Sequence, residues 1–134
     1  MNLSEKDREF LAQNRAAVMV TLKADGTPHV ARVGVGVVDG KLWSSGTQAR
    51  IRTKHLRRDP RCTLFVFDPG HAYRWLGLET TVAILDGPDA PQLNLALYRA
   101  LAGEPDDVEE YLRAMVAERR LIYEFDVHHS YGMR

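Results

Sequence analysis

At 134 residues, with 18 basic and 18 acidic side chains cancelling to no net charge and 45% apolar residues, the chain is one ordinary globular domain over positions 1–134 with material for a core. Its composition excludes several classes: no basic stripe offers itself to nucleic acid, no apolar run reaches the roughly 18 residues of a membrane span, and a lone Cys62 can form no internal disulfide. Met1 to Asp7 lack the basic-then-apolar pattern of a signal peptide, which makes a cytoplasmic protein the expectation, and no CxxC or HExxH spacing indicates a metal.

In chain order, Leu3-Ser4-Glu5-Lys6-Asp7 opens a helix with Ser4 as N-cap and acids in the first turn, Phe10 and Leu11 facing inward, and an end near Asn14. Ala16 to Leu22 is a strand by its branched residues, closed by the turn Ala24-Asp25-Gly26-Thr27. Pro28 to Val38 reads as one second strand, with Val30, Arg32, Gly34 and Gly36 on one face and Ala31, Val33, Val35 and Val37 on a fully apolar one. Asp39-Gly40 signals a hairpin that returns Lys41 to Ser45 as a third strand.

Between positions 50 and 58 stand five cations, Arg50, Arg52, Lys54, Arg57 and Arg58, and no acid. Thr47 is placed to cap a helix here that must stop near Pro60. On composition alone such a helix fits a solvated basic face. Its position favours a phosphate: Ser45, Gly46 and Thr47 at a strand-to-helix junction let a backbone approach an anion, and the free amides of a helix start point the same way. In a neutral chain the expected ligand is a small phosphorylated molecule.

Arg61 to Asp68 forms a fourth strand, with Cys62 as a buried, inert thiol, and Pro69-Gly70 turns it into a long fifth strand from Ala72 to Leu85. Gly77 within it predicts a bulge or a close approach. Gly87 to Pro91 breaks the sheet. Leu93, Leu97, Tyr98 and Leu101 then mark a helix ending before Gly103, and a second helix capped at Pro105-Asp106-Asp107 carries Val108, Leu112, Met115 and Val116 as its apolar stripe; together they form a core-covering insertion over about 91–118. Arg119 to Val127 is the sixth strand, trailed by His128 to Arg134. Six largely consecutive antiparallel strands with flanking helices predict a mainly β, small split barrel, its open edges covered by a second copy in a two-fold homodimer.

These residues carry a resemblance. Asp25-Gly26-Thr27-Pro28, Arg50-Ile51-Arg52-Thr53-Lys54-His55-Leu56-Arg57-Arg58-Asp59-Pro60-Arg61 and Arg74-Trp75-Leu76-Gly77-Leu78-Glu79 stand in the order and spacing of the split-barrel flavin and deazaflavin oxidoreductases, the superfamily of pyridoxamine 5'-phosphate oxidase. Nearly the whole chain is similar to its actinobacterial branch that uses the deazaflavin coenzyme F-420. Two positions depart from that branch: Arg52 stands where lysine is common, and Thr80 follows Glu79 where glycine is usual.

The resemblance implies a cofactor in a groove between two protomers. Its phosphate would lie at Ser45, Gly46, Thr47, Arg50, Arg52 and Thr53, with Lys54 nearby. Its ring would lie near Arg32 and the backbone of Val33 and Ser44, with Tyr73 and Trp75 reaching in from the partner; Trp75 equally fits packing at the dimer interface. Hydride transfer to a small organic acceptor would then be the cofactor's chemistry, so no side chain is assigned a catalytic role. Arg50, Arg57 and Arg58 stand ready for the oligoglutamate tail of F-420. Three alternatives stay open: an FMN-dependent pyridoxamine 5'-phosphate oxidase-like protein, a cofactor-binding module without turnover, and a haem-binding split barrel using His29 or His128.

Overall fold

The structure, a computed structural model, describes residues 1–71 and 73–134; Ala72, with which the fifth strand was expected to open, lies outside the described residues. Helix α1 (Glu5–Gln13) starts as its sequence predicts. The Ser4 hydroxyl accepts from the Asp7 amide and the Asp7 carboxylate accepts from the Ser4 amide, which satisfies two orphan donors of the first turn. Strands β1 (Ala16–Leu22), β2 (Pro28–Gly34), β3 (Gly36–Val38) and β4 (Lys41–Thr47) follow. The β3–β4 turn is built on Asp39 and Gly40, both at positive φ (50° and 76°), as a two-residue hairpin demands.

Among the described residues there are seven strands where six were expected, because the run from Pro28 to Val38 breaks at Val35. The Val35 amide leaves the ladder to donate to the Arg15 carbonyl at 2.8 Å, and the side-chain alternation changes phase there. Gly36, expected outward, is buried, and Val37, expected on the apolar face, is exposed. Packing supplies the reason: a methyl on Gly36 would stand 3.0 Å from both Leu97 and Leu101, so only glycine lets the later helix lie this close.

After α2 (Ile51–Arg58), β5 (Arg61–Phe67) and β6 (Trp75–Leu85) form a hairpin. Helices α3 (Ala90–Ala102) and α4 (Val108–Ala117) and strand β7 (Arg120–Met133) complete the chain. The tail expected from His128 onward is instead the second half of β7, paired from Glu79↔His129 to Trp75↔Met133. The register shift falls between Glu79 and Thr80, where His128 is the extra residue, and not at Gly77. Gly77 is a close approach: the Tyr131 ring lies over it, 2.6 Å from where a methyl would stand. On α4, Met115 faces inward as expected, but Val116 is exposed.

The single antiparallel sheet runs β2-β1-β5-β6-β7-β4-β3. Its two outermost strands are neighbours in sequence, separated by Val35 alone, so the sheet curls until its ends meet on one chain segment. The inward residues of β1, β5, β6 and β7, among them Met19, Leu64, Leu78, Tyr123 and Phe125, make the main core, plugged by Phe10 and Leu11 of α1 and Leu56 of α2. A second cluster, Trp43, Ile122 and Leu97, lies on the other face of β4 and β7 under α3. The two helices are thus a core-covering insertion. No helix is long and apolar enough to cross a membrane among the described residues.

Cys62 is buried on β5, and burial pushes its thiol up to about 12. Native protein is therefore expected to resist a thiol-specific reagent at pH 8 and to react stoichiometrically in 6–8 M (approximately) urea; rapid labelling of the folded protein would contradict the burial.

Candidate functional site

The basic helix α2 is held from below by buried polar contacts. His55 is buried, its Nδ1 2.9 Å from the Thr21 hydroxyl of β1, and burial, followed by His29, Arg58 and Lys23, holds it below the ordinary histidine range. It is a neutral anchor at neutral pH. His29 meets it edge-on, with ring centroids 5.1 Å apart.

Helix α2 begins at Ile51, not at Thr47. Arg50 occupies the N-cap position without a side-chain cap bond, and Thr47 remains the last residue of β4. The Thr47 carbonyl accepts from the Arg50 amide at 3.3 Å and from the Thr53 hydroxyl at 2.7 Å, so a four-residue turn, Thr47 to Arg50, is tied back onto the first turn of the helix. The physical reason is that the Thr53 hydroxyl, fully buried, holds the Thr47 carbonyl and so keeps Thr47 in the strand, which leaves the first helical turn with no side-chain cap.

The strand alternation sends Ser45 and Gly46 to opposite sides. The Ser45 hydroxyl donates to Asn94 Oδ1 of α3 at 2.5 Å, while Asn94, itself buried, donates to the carbonyls of Ala90 and Leu121. Gly46 faces the core, where a methyl would fall on the ring of Tyr123 well inside 3.0 Å. The Ser44 hydroxyl donates to the Gly34 carbonyl at 2.7 Å and so joins β4 to the end of β2. Arg32 stands two residues away, exposed, beside an open groove of about 440 Å³ lined by Arg15, Ala16, Val33 and Gly34.

Three cations of α2 and its N-cap, Arg50, Arg52 and Lys54, make no ion pair among the described residues. Arg52 is the informative one. Its Nε is buried without a hydrogen-bond partner among the described residues, and its guanidinium carbon sits 5.9 Å from the centroid of the Tyr123 ring. By contrast Arg57, expected to be free, donates to Asp86 at 2.9 Å and to Gln48 at 2.8 Å, and Arg58 donates to the Leu22 carbonyl. Arg57 is therefore spent on fastening the Thr47–Arg50 turn to the loop before α3. Asp86 answers by being held below the usual carboxylate range, first by Arg57 and then by Gln48.

Tyr73 and Trp75 lie elsewhere in the chain. Trp75 is half-buried on the outward face of the sheet, stacked on Phe65 at 5.4 Å and edge-on to Tyr131 at 5.9 Å, while Tyr73, in the loop before β6, is 75% exposed. No hydrogen bond, ion pair or ring contact joins them to α2 among the described residues. Trp75 shares its face with a row in which Arg32, Val18, Phe65, Gly77 and Tyr131 stand side by side across β2, β1, β5, β6 and β7, apolar or aromatic from Val18 onward and flanked by exposed Val30 and Met133. Tyr98 packs on Tyr111, and Arg99 forms a two-pronged pair with Glu104, so both are engaged within the helical insertion.

A groove of about 640 Å³ lies away from α2's start, over Lys41, Pro60, Thr81 and Ala83. Glu124 and Asp126 also line it, which makes it a poor place for a phosphate. The sequence did not single out Tyr123, Asn94, Gln48 or Asp86: Tyr123 and Asp86 sit far in sequence from Arg52 and Arg57, and Asn94 far from Ser45, while Gln48 lies nine residues before Arg57 without marking itself as its partner.

The family model of pyridoxamine 5'-phosphate oxidase matches residues 3–133. Among solved structures, the conserved hypothetical protein Rv2991 from Mycobacterium tuberculosis is similar with a TM-score of 0.80 at 21% identity, over 97% of this chain and 84% of that one. An F-420 reductase gives a TM-score of 0.76 at 20% identity over 96% and 98%. A heme-binding protein from Mycobacterium smegmatis gives 0.69 at 15% identity, over 97% of this chain and 54% of that one. At these identities the likeness is one of fold.

Proposed function

The chain belongs to the pyridoxamine 5'-phosphate oxidase family, and on that premise we propose that it is an oxidoreductase holding the deazaflavin F-420 between two protomers. One observation carries the reading: a buried, partnerless guanidinium nitrogen on Arg52, between unpaired Arg50 and Lys54, at the strand-to-helix junction of a family barrel. Leaving a charged donor buried and unmatched costs on the order of 1–3 kcal/mol, which an anion would recover. The F-420 reductase among the structural neighbours and the sequence motifs support the choice of cofactor.

Arg50, Arg52 and Lys54 would bind the phosphate, and the amides of the first helical turn would complete the set. Ser45 and Thr53 stand behind this cradle, since their hydroxyl protons are committed to Asn94 and Thr47. Arg32 would border the ring, with the exposed Tyr73 and the aromatic face of Trp75 supplied by a second copy packed on the sheet. When bound, the cofactor supplies the hydride chemistry; the chain orients it and keeps water out.

A second reading, FMN, has an observation of its own. With Arg57 neutralised by Asp86, fewer arginines stand ready for an oligoglutamate tail than the sequence promised, and a single phosphate needs no more than the cradle. Separate fluorescence titrations with F-420 and FMN decide. Tenfold or greater preference for F-420 supports the first reading, equal or reversed affinity the second, and binding of neither overturns both. Reoxidation of the reduced complex by a panel of quinones and enones no faster than by buffer would make the protein a carrier. A Soret band on haem addition, lost with His29 or His128 substitution, would favour the haem-binding alternative.

Arg52→Met keeps the stem and removes the fork. It is expected to weaken cofactor binding by about 1.5–3 kcal/mol, roughly tenfold to a hundredfold, and, because the unmatched donor is gone, to leave the cofactor-free protein at least as stable as wild type. Unchanged affinity would take Arg52 out of the site.

A further inference from the structure

We propose that Tyr123 is a positioning residue of the phosphate cradle, an inference that rests on the cofactor site above. Tyr123 is fully buried on β7, opposite Ser44 in register and Ile84 on its other side. From that one position it reaches Arg52 of the cradle and two residues behind it, Gly46 and Thr53. Its ring lies against the α-carbon of Gly46, its hydroxyl meets the Thr53 hydroxyl, and its ring face carries the Arg52 guanidinium.

The proton count fixes the direction of the buried bond. A carbonyl only accepts, so the Thr53 hydroxyl spends its single proton on the Thr47 carbonyl. The bond between Thr53 and Tyr123 must then run from the tyrosine O–H to Thr53 Oγ1. Tyr123 therefore dictates which way the Thr53 hydroxyl points, and Thr53 in turn holds the Thr47 carbonyl at the base of the turn that leads to Arg50. The same ring limits where the Arg52 fork can settle: it offers a negative face on one side and leaves Nε without a hydrogen-bond partner among the described residues. A planar fork held in one plane meets phosphate in pairs of bonds; a free one does so only after losing its rotamer freedom.

The test compares a phosphate-bearing cofactor with its phosphate-free counterpart: FMN with riboflavin, and F-420 with the deazaflavin that ends in a bare ribityl chain. Wild-type protein is expected to prefer the phosphate-bearing form by tenfold or more. Tyr123→Phe, which keeps the ring and removes the donor, is expected to cut that preference to threefold or less while leaving the phosphate-free form within twofold of wild type. Thr53→Val is expected to reproduce the loss, Thr53→Ser to retain wild-type preference, and the double variant Y123F/T53V to be no worse than either single one.

Circular dichroism and a melting curve verify that each variant is folded. A general loosening of the barrel would weaken both forms alike; that result, or an undiminished preference in Tyr123→Phe, overturns the positioning role. Absence of any preference in wild type would instead overturn the phosphate cradle itself, and this inference with it.

Discussion

Gly46→Ala is expected to destabilise the protein by about 3 kcal/mol or more in urea unfolding, at the upper end of overpacking changes, and to abolish cofactor binding at temperatures where the protein stays folded. The methyl would land on the Tyr123 ring, and the ring has nowhere to go. It is fully buried, its hydroxyl is fastened to Thr53, and Leu121 and Phe125 fill the same face of β7. The clash can be relieved only by pushing β4 away from β7, where six residue pairs from Leu42↔Phe125 to Thr47↔Arg120 hold it, and that displacement moves the cradle.

Gly77 supplies the control. A methyl there also meets a tyrosine ring, at 2.6 Å, but Tyr131 is 40% exposed on the outer face and can turn into solvent. Gly77→Ala is accordingly expected to cost roughly 1 kcal/mol or less in the monomer. If the two variants cost the same, the freedom of the neighbouring ring is not what decides, and the buried Tyr123–Thr53 bond is less rigid than its geometry states.

The comparison also shows which parts of the molecule the sequence discloses. Features set by neighbours within a few residues were legible: the Ser4 cap, the Asp39-Gly40 hairpin, the end of helix α3 at Gly103 with φ 83°, and the cluster of cations after β4. Features set by distant partners were not. His128 to Met133 reads as a polar tail because its pairing partner, Trp75 to Glu79, lies some fifty residues upstream. The break at Val35 follows from Arg15 on one side and Leu97 and Leu101 on the other.

The candidate site divides the same way. Five cations without an acid mark the basic helix in sequence, yet only the fold shows that Arg57 is answered by Asp86 and that Arg52 Nε has no hydrogen-bond partner among the described residues. A small residue at position 46 suggested a backbone poised for phosphate; the fold shows that its smallness is demanded first by Tyr123 from within. Both demands bear on one residue, and so the cradle's shape and the barrel's packing are coupled.

A loss of similar size is expected at Asp7, whose replacement by asparagine should cost about 3 kcal/mol and flatten the acid limb of the stability curve. The carboxylate is fully buried, yet it accepts from Arg134 Nε, from the Ser130 hydroxyl at 2.7 Å and from the Ser4 amide at 3.1 Å. It therefore fastens α1 to the end of β7, the half-strand that borders the aromatic face. Burial pushes its pKa up, but the donors from Arg134, Ser130 and Ser4 outweigh burial and hold it below the usual aspartate range. With the folded pKa depressed below the unfolded value of about 3.9, the unfolded state binds the proton first. The stabilisation is then complete above about pH 5 and is lost as pH falls through the folded pKa. Urea unfolding of wild type across pH 6 to 2 is expected to show this decline, and Asp7→Asn to start lower and fall less steeply. Parallel curves would mean that other carboxylates carry the acid sensitivity and that the Asp7–Arg134 pair contributes little to holding the helix on the barrel.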